Sequence, residues 1–515
     1  MVKPASLATA QSAGALGALS NDAGNFVMEH GAVMVTTGDI FQESPMTMGE
    51  GGGVFTVNSG NLHLKGLIKG TTLTKNGAGT LQIYGRPNSY KKTIINGGTL
   101  KVAEEYNSTT NGRLGDTIVF NNGVLQCLDN SYSYSSASWN IVVPEGKNGT
   151  IRLDGRCNYT GSLTGAGTLN VYIPYVRTYL QGNWSKFAGT IVCSQSSSGD
   201  FTFDNSYGLP LATLSVTEGC TVRNNKNTNM KIAAAEGSGT LGGDHGWTIG
   251  NDSEEINRFS GKIAGKGSLT KVGSNTLQLS GENTYTGATN VNAGTLTISN
   301  RGKTVSATGT GVLTVKNGGT FTGNGYIGNS VVSIASGGLL IPGAYNIGSL
   351  TMPSALNLQV GGAIEWRLNS AKSVATLKEV KTMTLNGTLR VTLKEGYTPA
   401  LGDSFSLWSC NAVSENSVPT LELPELPEGL AWDTTDLLTT TGTLRVMDAT
   451  GLRLTAWDEP VQATVFTLEG VAVESFEAPY NQVAETLLAT SLPRGLYIVK
   501  MDGQNGSGAI KVMKE

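Results

Sequence analysis

Histidine and charged residues are scarce in this chain. Of its 515 residues only three are histidine and 15% are charged, with 36 basic residues against 39 acidic ones. So few histidines argue against a histidine-based metal or acid–base site, and the lack of a basic block argues against a nucleic-acid partner. No apolar run approaches the roughly 18–20 residues that a membrane-spanning helix requires. We therefore predict no metal, no cofactor and no nucleic acid for this chain.

Cysteine and proline are also few. There are 15 prolines and five cysteines, namely Cys127, Cys157, Cys193, Cys220 and Cys410. Five is an odd number and no Cys-x-x-Cys pair occurs, so the sequence predicts neither a zinc site nor a disulfide framework. The favoured interpretation is that the cysteines are small apolar core residues. The alternative is one or two disulfides that join adjacent turns of the fold.

Glycine, by contrast, is abundant, with 69 residues. Steps of the form Gly-[Thr/Ser/Val]-[Leu/Ile] recur at intervals of roughly 20–30 residues, a period typical of solenoids. Glycine supplies the positive φ of a corner, and the residues after it alternate outward and inward as in a strand. The steps include Gly79-Thr80-Leu81, Gly98-Thr99-Leu100, Gly123-Val124-Leu125, Gly149-Thr150-Ile151, Gly167-Thr168-Leu169, Gly239-Thr240-Leu241, Gly267-Ser268-Leu269 and Gly294-Thr295-Leu296. The pattern predicts stacked coils of short strands and almost no helix.

Two stretches almost 200 residues apart share one longer pattern. The first reads Leu73-Thr74-Lys75, Gly77, Thr80-Leu81-Gln82, Gly85, Tyr90, Asn96 and Gly98-Thr99-Leu100. The second reads Leu269-Thr270-Lys271, Gly273, Thr276-Leu277-Gln278, Gly281, Tyr285, Asn292 and Gly294-Thr295-Leu296. Self-similarity of this kind indicates a repeat architecture.

These stretches, and the segment from Leu313 to Gly343 that follows the second copy, resemble the passenger-associated repeat of bacterial autotransporters. The resemblance covers about residues 70–343. In that family the repeat belongs to a right-handed parallel β-helix displayed outside the cell. The resemblance therefore implies an all-β, right-handed parallel β-helix, which we assign to residues 1–410. Residues 411–451, rich in proline and glutamate, are expected to form a cap and linker.

Residues 452–515 resemble the C-terminal sorting domain of type IX secretion substrates in Bacteroidetes. The matching positions are Pro493, Gly495, Leu496, Tyr497, Ile498, Val499, Lys500, Lys511, Val512 and Lys514. The resemblance implies a small Ig-like β-sandwich, the type IX secretion machinery as a partner, and a location that is secreted or attached to the outer-membrane surface. The alternative is a sandwich that only caps the open end of the solenoid.

The first ten residues contain no continuous apolar segment of the kind found in a secretion signal. Substrates of the type IX route also need such a signal. We therefore expect this chain to be the C-terminal part of a longer precursor, in which a catalytic domain could precede the solenoid.

Candidate catalytic residues are scattered. Asp116, Asp129 and Asp154 lie roughly one coil apart, and Asp200 and Asp204 are neighbours in one loop. Polysaccharide lyases and hydrolases need converging carboxylates, so stacking of the first three would indicate an enzyme. Asp244-His245 near Trp247 is the other candidate. We interpret all of these as turn residues, and we keep a β-helix polysaccharide lyase or glycoside hydrolase as the alternative function.

Aromatic residues concentrate between positions 132 and 184. Aromatic faces on an extended protein can grip glycans by stacking, with polar groups around them. The expected contacts are Tyr132, Tyr134, Trp139, Tyr172, Tyr175 and Trp184. The alternative is that these are ordinary strand residues that shield the surface. The sequence thus predicts a non-catalytic stalk or adhesin-like module, with extracellular polysaccharide or host glycan as the expected ligand.

Overall fold

The computed structural model describes residues 7–10, 26–28, 33–42, 45–84, 88–102, 114–127, 135–174, 178–196, 201–225, 229–300, 302, 304–343, 348–370, 374–449, 460–468, 470–479, 482–503 and 506–514. The chain divides into two compact units. The first comprises Met1–Leu426 and Trp432–Arg445, and the second comprises Pro427–Ala431 and Val446–Glu515.

The first unit is a β-solenoid whose successive coils pair through parallel strands. The pairing keeps equivalent residues in register, so Leu81 lies beside Leu100, which lies beside Leu125. Neighbouring strands of this kind stand ~4.8 Å apart. The prediction of an all-β parallel solenoid is therefore confirmed. No helix in the described part of the chain is long and apolar enough to cross a membrane.

The strands of the solenoid belong to four ladders. The first contains Leu7–Ala10, Phe26–Met28, Val33–Thr37, Met46–Met48, Gly53–Ser59, Ile68–Asn76, Ser89–Ile95, Thr117–Phe120, Asn140–Val143, Leu163–Gly165 and Lys186–Phe187. The second and longest contains Ile40–Gln42, Asn61–Leu64, Thr80–Ile83, Thr99–Val102, Val124–Cys127, Asn148–Leu153, Thr168–Ile173, Thr190–Gln195, Leu209–Val216, Met230–Gly237, Trp247–Ile249, Ile256–Phe259, Leu269–Lys271, Thr276–Leu279, Thr289–Val291, Gly294–Ile298, Leu313–Val315, Gly319–Gly323, Val331–Ile334, Leu339–Pro342, Ala355–Leu358, Ala363–Leu368, Thr382–Leu385, Thr388–Leu393 and Thr420–Glu422. The third contains Ser135–Ala137, Cys157–Tyr159, Thr178–Leu180, Phe201–Phe203, Thr221–Asn224, Thr240–Gly242 and Lys262–Ile263. The fourth contains Gly325–Tyr326, Ser349–Thr351, Thr376–Val380 and Trp408–Cys410.

Three further strands are Ser404–Ser406, Leu430–Asp433 and Thr443–Asp448. The first of these pairs antiparallel with the third, and Phe405 lies opposite Leu444. The last strand of the long ladder, Thr420–Glu422, pairs with Thr388–Leu393. The solenoid therefore extends into the segment that the sequence assigned to a cap and linker.

Inward-facing residues of successive coils stack into aliphatic columns. In Thr80–Ile83 and Thr99–Val102 the second and fourth residues are fully buried, as the period-two alternation of a strand requires. Truncation of one such residue, Leu100, to alanine would cost about 2–5 kcal/mol. Packing of these columns and the hydrogen bonds between coils hold the solenoid together.

None of the five cysteines, all of which lie in the described ranges, forms a disulfide, and all but the half-buried Cys410 are buried. Burial raises the pKa of the Cys220 thiol to about 12, so this group stays protonated at neutral pH. The arrangement agrees with the interpretation of the cysteines as core residues.

Glycine is required at the corner that opens the last Gly-Thr-Leu step of each long repeat. Gly98 and Gly294 have φ angles of +63° and +62°, a region that disfavours other residues. A Cβ atom at either position would lie 2.4 Å from a backbone oxygen of the preceding coil, that of Gly77 or Gly273. Glycine is therefore needed at this corner for two reasons, namely the positive φ angle and the lack of room for a Cβ atom.

The described residues between 460 and 514 of the second unit form a four-stranded antiparallel sheet with one helix. Its strands are Pro460–Phe466, Ala472–Pro479, Gly495–Gly503 and Gly506–Lys514, with Pro460–Phe466 and Gly495–Gly503 at the centre. One helix, α1 (Val483–Ala489), buries Val483 and Leu487 in the same core as the sheet residues Val465 and Val499.

This arrangement does not show the expected Ig-like β-sandwich. In the described part of residues 452–515 the layer that covers the core face of the sheet is helix α1, not a second sheet. The physical reason is the spacing of Val483 and Leu487, which lie four residues apart and so share one helical face. A helix of seven residues offers too few turns for this spacing to stand out in the sequence.

Candidate binding surfaces

The lysine of each long repeat lies inside the solenoid. Lys75 is fully buried, and its Nζ donates to the carbonyl oxygens of Asn76, Gly77 and Gly97 at 2.7, 2.8 and 3.2 Å. The equivalent Lys271 makes the same three bonds at 2.7, 2.8 and 3.3 Å. Burial lowers the pKa of both amines to about 8. Each lysine therefore donates hydrogen bonds to three backbone carbonyl oxygens at one corner of the solenoid.

The tyrosine of the repeat and the asparagine two residues before it are also internal. The Oδ1 atom of Asn283 accepts a hydrogen bond from the Ile263 amide at 2.6 Å, and the Tyr285 hydroxyl lies 2.6 Å from the Thr289 hydroxyl. In the first copy Asn88 accepts from the Ile68 amide at 2.8 Å. Burial raises the pKa of Tyr285 well above its usual range. These polar residues of the repeat thus form hydrogen bonds within their own coil or to neighbouring coils.

Two of the predicted glycan contacts lie in the interior. Trp139 and Trp184 are 3% and 1% exposed, and the Trp184 indole donates to the Gly161 carbonyl at 3.0 Å. Neither indole can reach a ligand on the surface, which corrects the expectation for these two residues. Tyr132, Tyr134 and Tyr175 lie outside the described residues.

Tyr172 is the predicted contact that the structure places on the outer face of the long ladder. The Arg152 guanidinium lies 5.4 Å from the centre of its ring. Arg152 also pairs with Asp154 at 2.5 Å, and the Gln126 side chain donates to the same carboxylate at 2.6 Å. Tyr172 is therefore held beside a polar network that spans three coils.

Two of the candidate catalytic carboxylates that the structure describes have side-chain partners. Asp154 is engaged by Arg152, and Asp204 accepts from the Gln181 side chain at 3.0 Å. Asp116 is exposed, while Asp129 and Asp200 lie outside the described residues. Trp247 is buried and donates to the Gly242 carbonyl at 3.2 Å, so Asp244-His245 has no exposed indole beside it. No group of three or more His, Cys, Asp or Glu that could hold a metal ion occurs in the described ranges.

Sequence reasoning missed an aromatic column on the outer face of the first coils. The rings of Phe41 and His63 stack with centroids 4.2 Å apart and an interplanar angle of 9°. His63 Nδ1 lies 3.0 Å from the Tyr84 hydroxyl, and the Lys65 ammonium lies 5.0 Å from the centre of the Phe41 ring. Burial lowers the pKa of His63, and the charges of nearby lysines add to this effect, while Asp39 opposes it. The intervals of 22 and 21 residues between the three rings, about one coil each, were the available signal.

A second row that the sequence did not reveal runs along the later coils. Six uncharged side chains stand in register, one per coil, and all are half-buried on the outer face. We call them the polar ladder: Thr248, Thr270, Asn290, Thr314, Ser333 and Asn357. Six rungs at ~4.8 Å give a row about 24 Å long.

The polar ladder differs from a self-bonded row. The Asn96 side chain donates a hydrogen bond to Asn76 and accepts one from Asn121, both at 2.7 Å. The side chains of that row are therefore hydrogen-bonded to one another. Within the described part of the chain, none of the six ladder side chains has a hydrogen bond to another protein group. Their donors and acceptors are therefore available to solvent or to a ligand.

A polar groove of about 910 Å³ runs along a corner of the same coils. Its lining includes Ser260, Ser280, Glu282, Ser299 and Asn324. A Cβ atom at the lining residue Gly302 would lie 2.2 Å from the Glu282 carboxylate, so glycine leaves room for that side chain. The volume is within the usual range for ligand sites, although the lining is more polar than is common.

In the second unit, two residues of the predicted sorting signal have internal partners. The Tyr497 hydroxyl donates to the Pro493 carbonyl at 2.8 Å. The Lys514 ammonium donates to the carbonyls of Leu487 and Thr490 at the end of helix α1. All predicted positions except Pro493 lie on the paired strands Gly495–Gly503 and Gly506–Lys514.

Comparison with known proteins supports the repeat assignment. The family model of the passenger-associated-transport-repeat matches residues 73–102 and 269–298, the two stretches that share the long pattern. The chain is also 38% identical over 97 residues to the adhesin BmaC autotransporter of Brucella suis biovar 1 (strain 1330). That match covers 19% of this chain and 3% of the adhesin, so the chain corresponds to a small part of its relative. The predicted resemblance to autotransporter passenger repeats is thus confirmed for these two stretches.

Proposed function

We propose that this chain is a non-catalytic, adhesin-like module displayed at the cell surface, and that it binds extended glycan along the polar ladder. The similarity to an adhesin autotransporter and the passenger-type repeats support the surface role. The ladder of hydrogen-bonding groups without protein partners carries the glycan assignment.

The physical reason is the match between a periodic row and a periodic polymer. A polysaccharide laid along the solenoid axis presents hydroxyl groups at regular intervals, and each rung offers one hydroxyl or amide. A hydrogen bond between uncharged groups contributes about 0.5–1.5 kcal/mol net, so several rungs are needed for measurable affinity. Because the ladder carries no charge, binding to it depends little on salt.

Substitution of Thr270 and Thr314 by valine tests this proposal. Valine keeps the β-branched shape and removes only the hydroxyl, so the coils are preserved. The measurement is the mobility of the full chain in native gels that contain soluble neutral polysaccharides. We expect the double variant to bind about 5- to 150-fold more weakly than the wild type, from two lost hydrogen bonds.

The matched control is Thr295→Val with Thr320→Val. These threonines face outward on the paired strands Gly294–Ile298 and Gly319–Gly323 and have no side-chain hydrogen bond to another protein group in the described part of the chain. The control should bind as the wild type does. Equal weakening of both variants would contradict the ladder assignment, and shortened polysaccharide chains after incubation would make the protein an enzyme.

We also propose that the second unit directs export by the type IX secretion machinery, which leaves the protein secreted or attached to the outer-membrane surface. The motif at Pro493–Lys500 and Lys511–Lys514 supports this route. The test fuses residues 446–515 to a periplasmic reporter in a Bacteroidetes host with that machinery. Surface or extracellular reporter supports the proposal, and retention in the periplasm contradicts it.

A further inference from the structure

Two rings of the aromatic column, Phe41 and His63, and the Tyr172 ring belong to one continuous row on the outer face of the long ladder. Strand pairing places seven residues in register, and we call them the mixed row: Phe41, His63, Gln82, Lys101, Gln126, Arg152 and Tyr172. Seven rungs at ~4.8 Å span about 29 Å. Rings thus stand at both ends of a row whose middle carries amides and cations.

Lys101 stands at the centre of the mixed row, three rungs from Phe41 and three from Tyr172. Its side chain is half-buried and has no ion pair or hydrogen bond to another side chain in the described part of the chain. Arg152, by contrast, is paired with Asp154. The charge of Lys101 is therefore available to a ligand.

The ends of the row offer apolar ring surface. Phe41 is 46% exposed, and its stacking on His63 restricts the orientation of the ring. Tyr172 is held beside the Arg152 guanidinium. Rings that are already restricted lose little side-chain entropy when a ligand stacks on them.

We propose that the mixed row binds an acidic polysaccharide, a chain of sugars that bear carboxylates, laid along the solenoid axis. Sugar rings stack on Phe41 and Tyr172, a carboxylate pairs with Lys101, and Gln82 and Gln126 bond hydroxyls. The inference rests on the proposed role as a glycan-binding surface module, but it uses other residues and another ligand class than the polar ladder.

The experiment measures binding of the full chain to polygalacturonate and to a neutral galactan by affinity gel electrophoresis at 50 and 500 mM NaCl. We expect the wild type to bind the acidic polymer more tightly, and to lose affinity at the higher salt concentration. Lys101→Met should weaken this binding about threefold, the scale of one exposed ion pair. Tyr172→Leu should weaken it about fivefold through loss of the ring.

Matched controls separate local effects from general ones. Lys316→Met removes one exposed cation far from the row, and Tyr207→Leu removes a ring that is 56% exposed at another site. Both should bind as the wild type does. Equal binding by Lys101→Met and the wild type, or equal loss in Lys316→Met, overturns the proposal.

The outcome also separates this inference from the proposed function. If the neutral polymer binds and Thr270→Val with Thr314→Val weakens this binding, while the acidic polymer does not bind, the mixed-row proposal is wrong and the polar-ladder proposal is supported. If acidic polymer binds and responds to Lys101→Met, while neutral polymer does not bind, the mixed row stands and the ladder fails. If no polymer binds, both assignments are overturned.

Discussion

Replacement of Lys271 by methionine should loosen one coil and leave the rest of the solenoid unchanged. The substitution keeps the length and apolar stem of the side chain and removes the ammonium. Three carbonyl oxygens, those of Val272, Gly273 and Ala293, then lose their donor. A buried acceptor without a partner costs about 1–3 kcal/mol, and the third bond, at 3.3 Å, is weak. We expect a local loss of about 2–4 kcal/mol.

Amide hydrogen exchange is the assay, because a solenoid opens coil by coil and each coil contacts mainly its neighbours. A loss of 2–4 kcal/mol corresponds to exchange that is about 30-fold to several hundredfold faster in peptides from residues 269–298. Residues 73–102 provide an internal control, since a distant site should not respond. Lys75→Met should speed amide exchange in residues 73–102 and leave exchange in residues 269–298 unchanged.

Two outcomes would refute this reasoning. Exchange in residues 269–298 that changes by less than about twofold would mean that solvent replaces the ammonium at no cost. Equal acceleration in both repeats would mean that the solenoid opens as one cooperative unit.

The same variant tests the sign of the pH dependence. Burial lowers the pKa of Lys271 from 10.5 to about 8, so the unfolded coil binds more protons than the folded coil between these values. Stability from this group therefore rises with pH across that window, by up to about 3 kcal/mol. The ratio of exchange rates between variant and wild type, which cancels intrinsic exchange, should grow from pH 8 to pH 10. A constant ratio would contradict the lowered pKa.

Three further predictions concern a corner, the second unit and the aromatic column. Gly294→Ala should lower the free energy of unfolding by more than about 3 kcal/mol, because of the φ angle at this position and its close backbone contact. Gly318 has a φ of +77° and no atom within 4 Å of an added Cβ, so Gly318→Ala should lower it by about 1 kcal/mol. Thermal unfolding of the two variants compares these losses. Lys514→Met should speed amide exchange in helix α1 by about tenfold, through loss of its bonds to the helix end. Lys65→Met should raise the pKa of His63, and an NMR titration that shows no change would contradict the electrostatic account.

The fold could be predicted because its signals are local. A glycine precedes each Thr-Leu step, and the residues after it alternate with period two, as the buried Leu81 and Leu100 show. Of the steps named, all of which the structure describes, only those at Gly98, Gly123 and Gly294 have the positive φ angle expected of a corner. The orientation of Trp139 and Trp184 could not be predicted in the same way. Both lie between strands, where period-two alternation does not apply, and both indoles turn inward.

The outward rows could not be read from the sequence because coils differ in length. Steps along the polar ladder from Thr248 to Thr270, Asn290, Thr314 and Ser333 are 22, 20, 24 and 19 residues. A fixed period therefore drifts out of register within two coils, and only strand pairing restores it. The corner loops absorb the differences in length, so the rows stay aligned while the sequence spacing does not.

The internal position of the repeat's polar residues changes what the similarity to an adhesin can mean. Lys271, Asn283 and Tyr285 are buried and bonded within the coil or to its neighbours, so selection for a stable coil is enough to maintain them. Similarity over such residues indicates that two coils share a fold, but it carries no information about a ligand. Ligand preference must reside in outward positions, which tolerate exchange because few contacts constrain them. Two proteins with the same repeat can therefore bind different polymers, and the charge of a row such as Phe41 to Tyr172 is where that difference should appear.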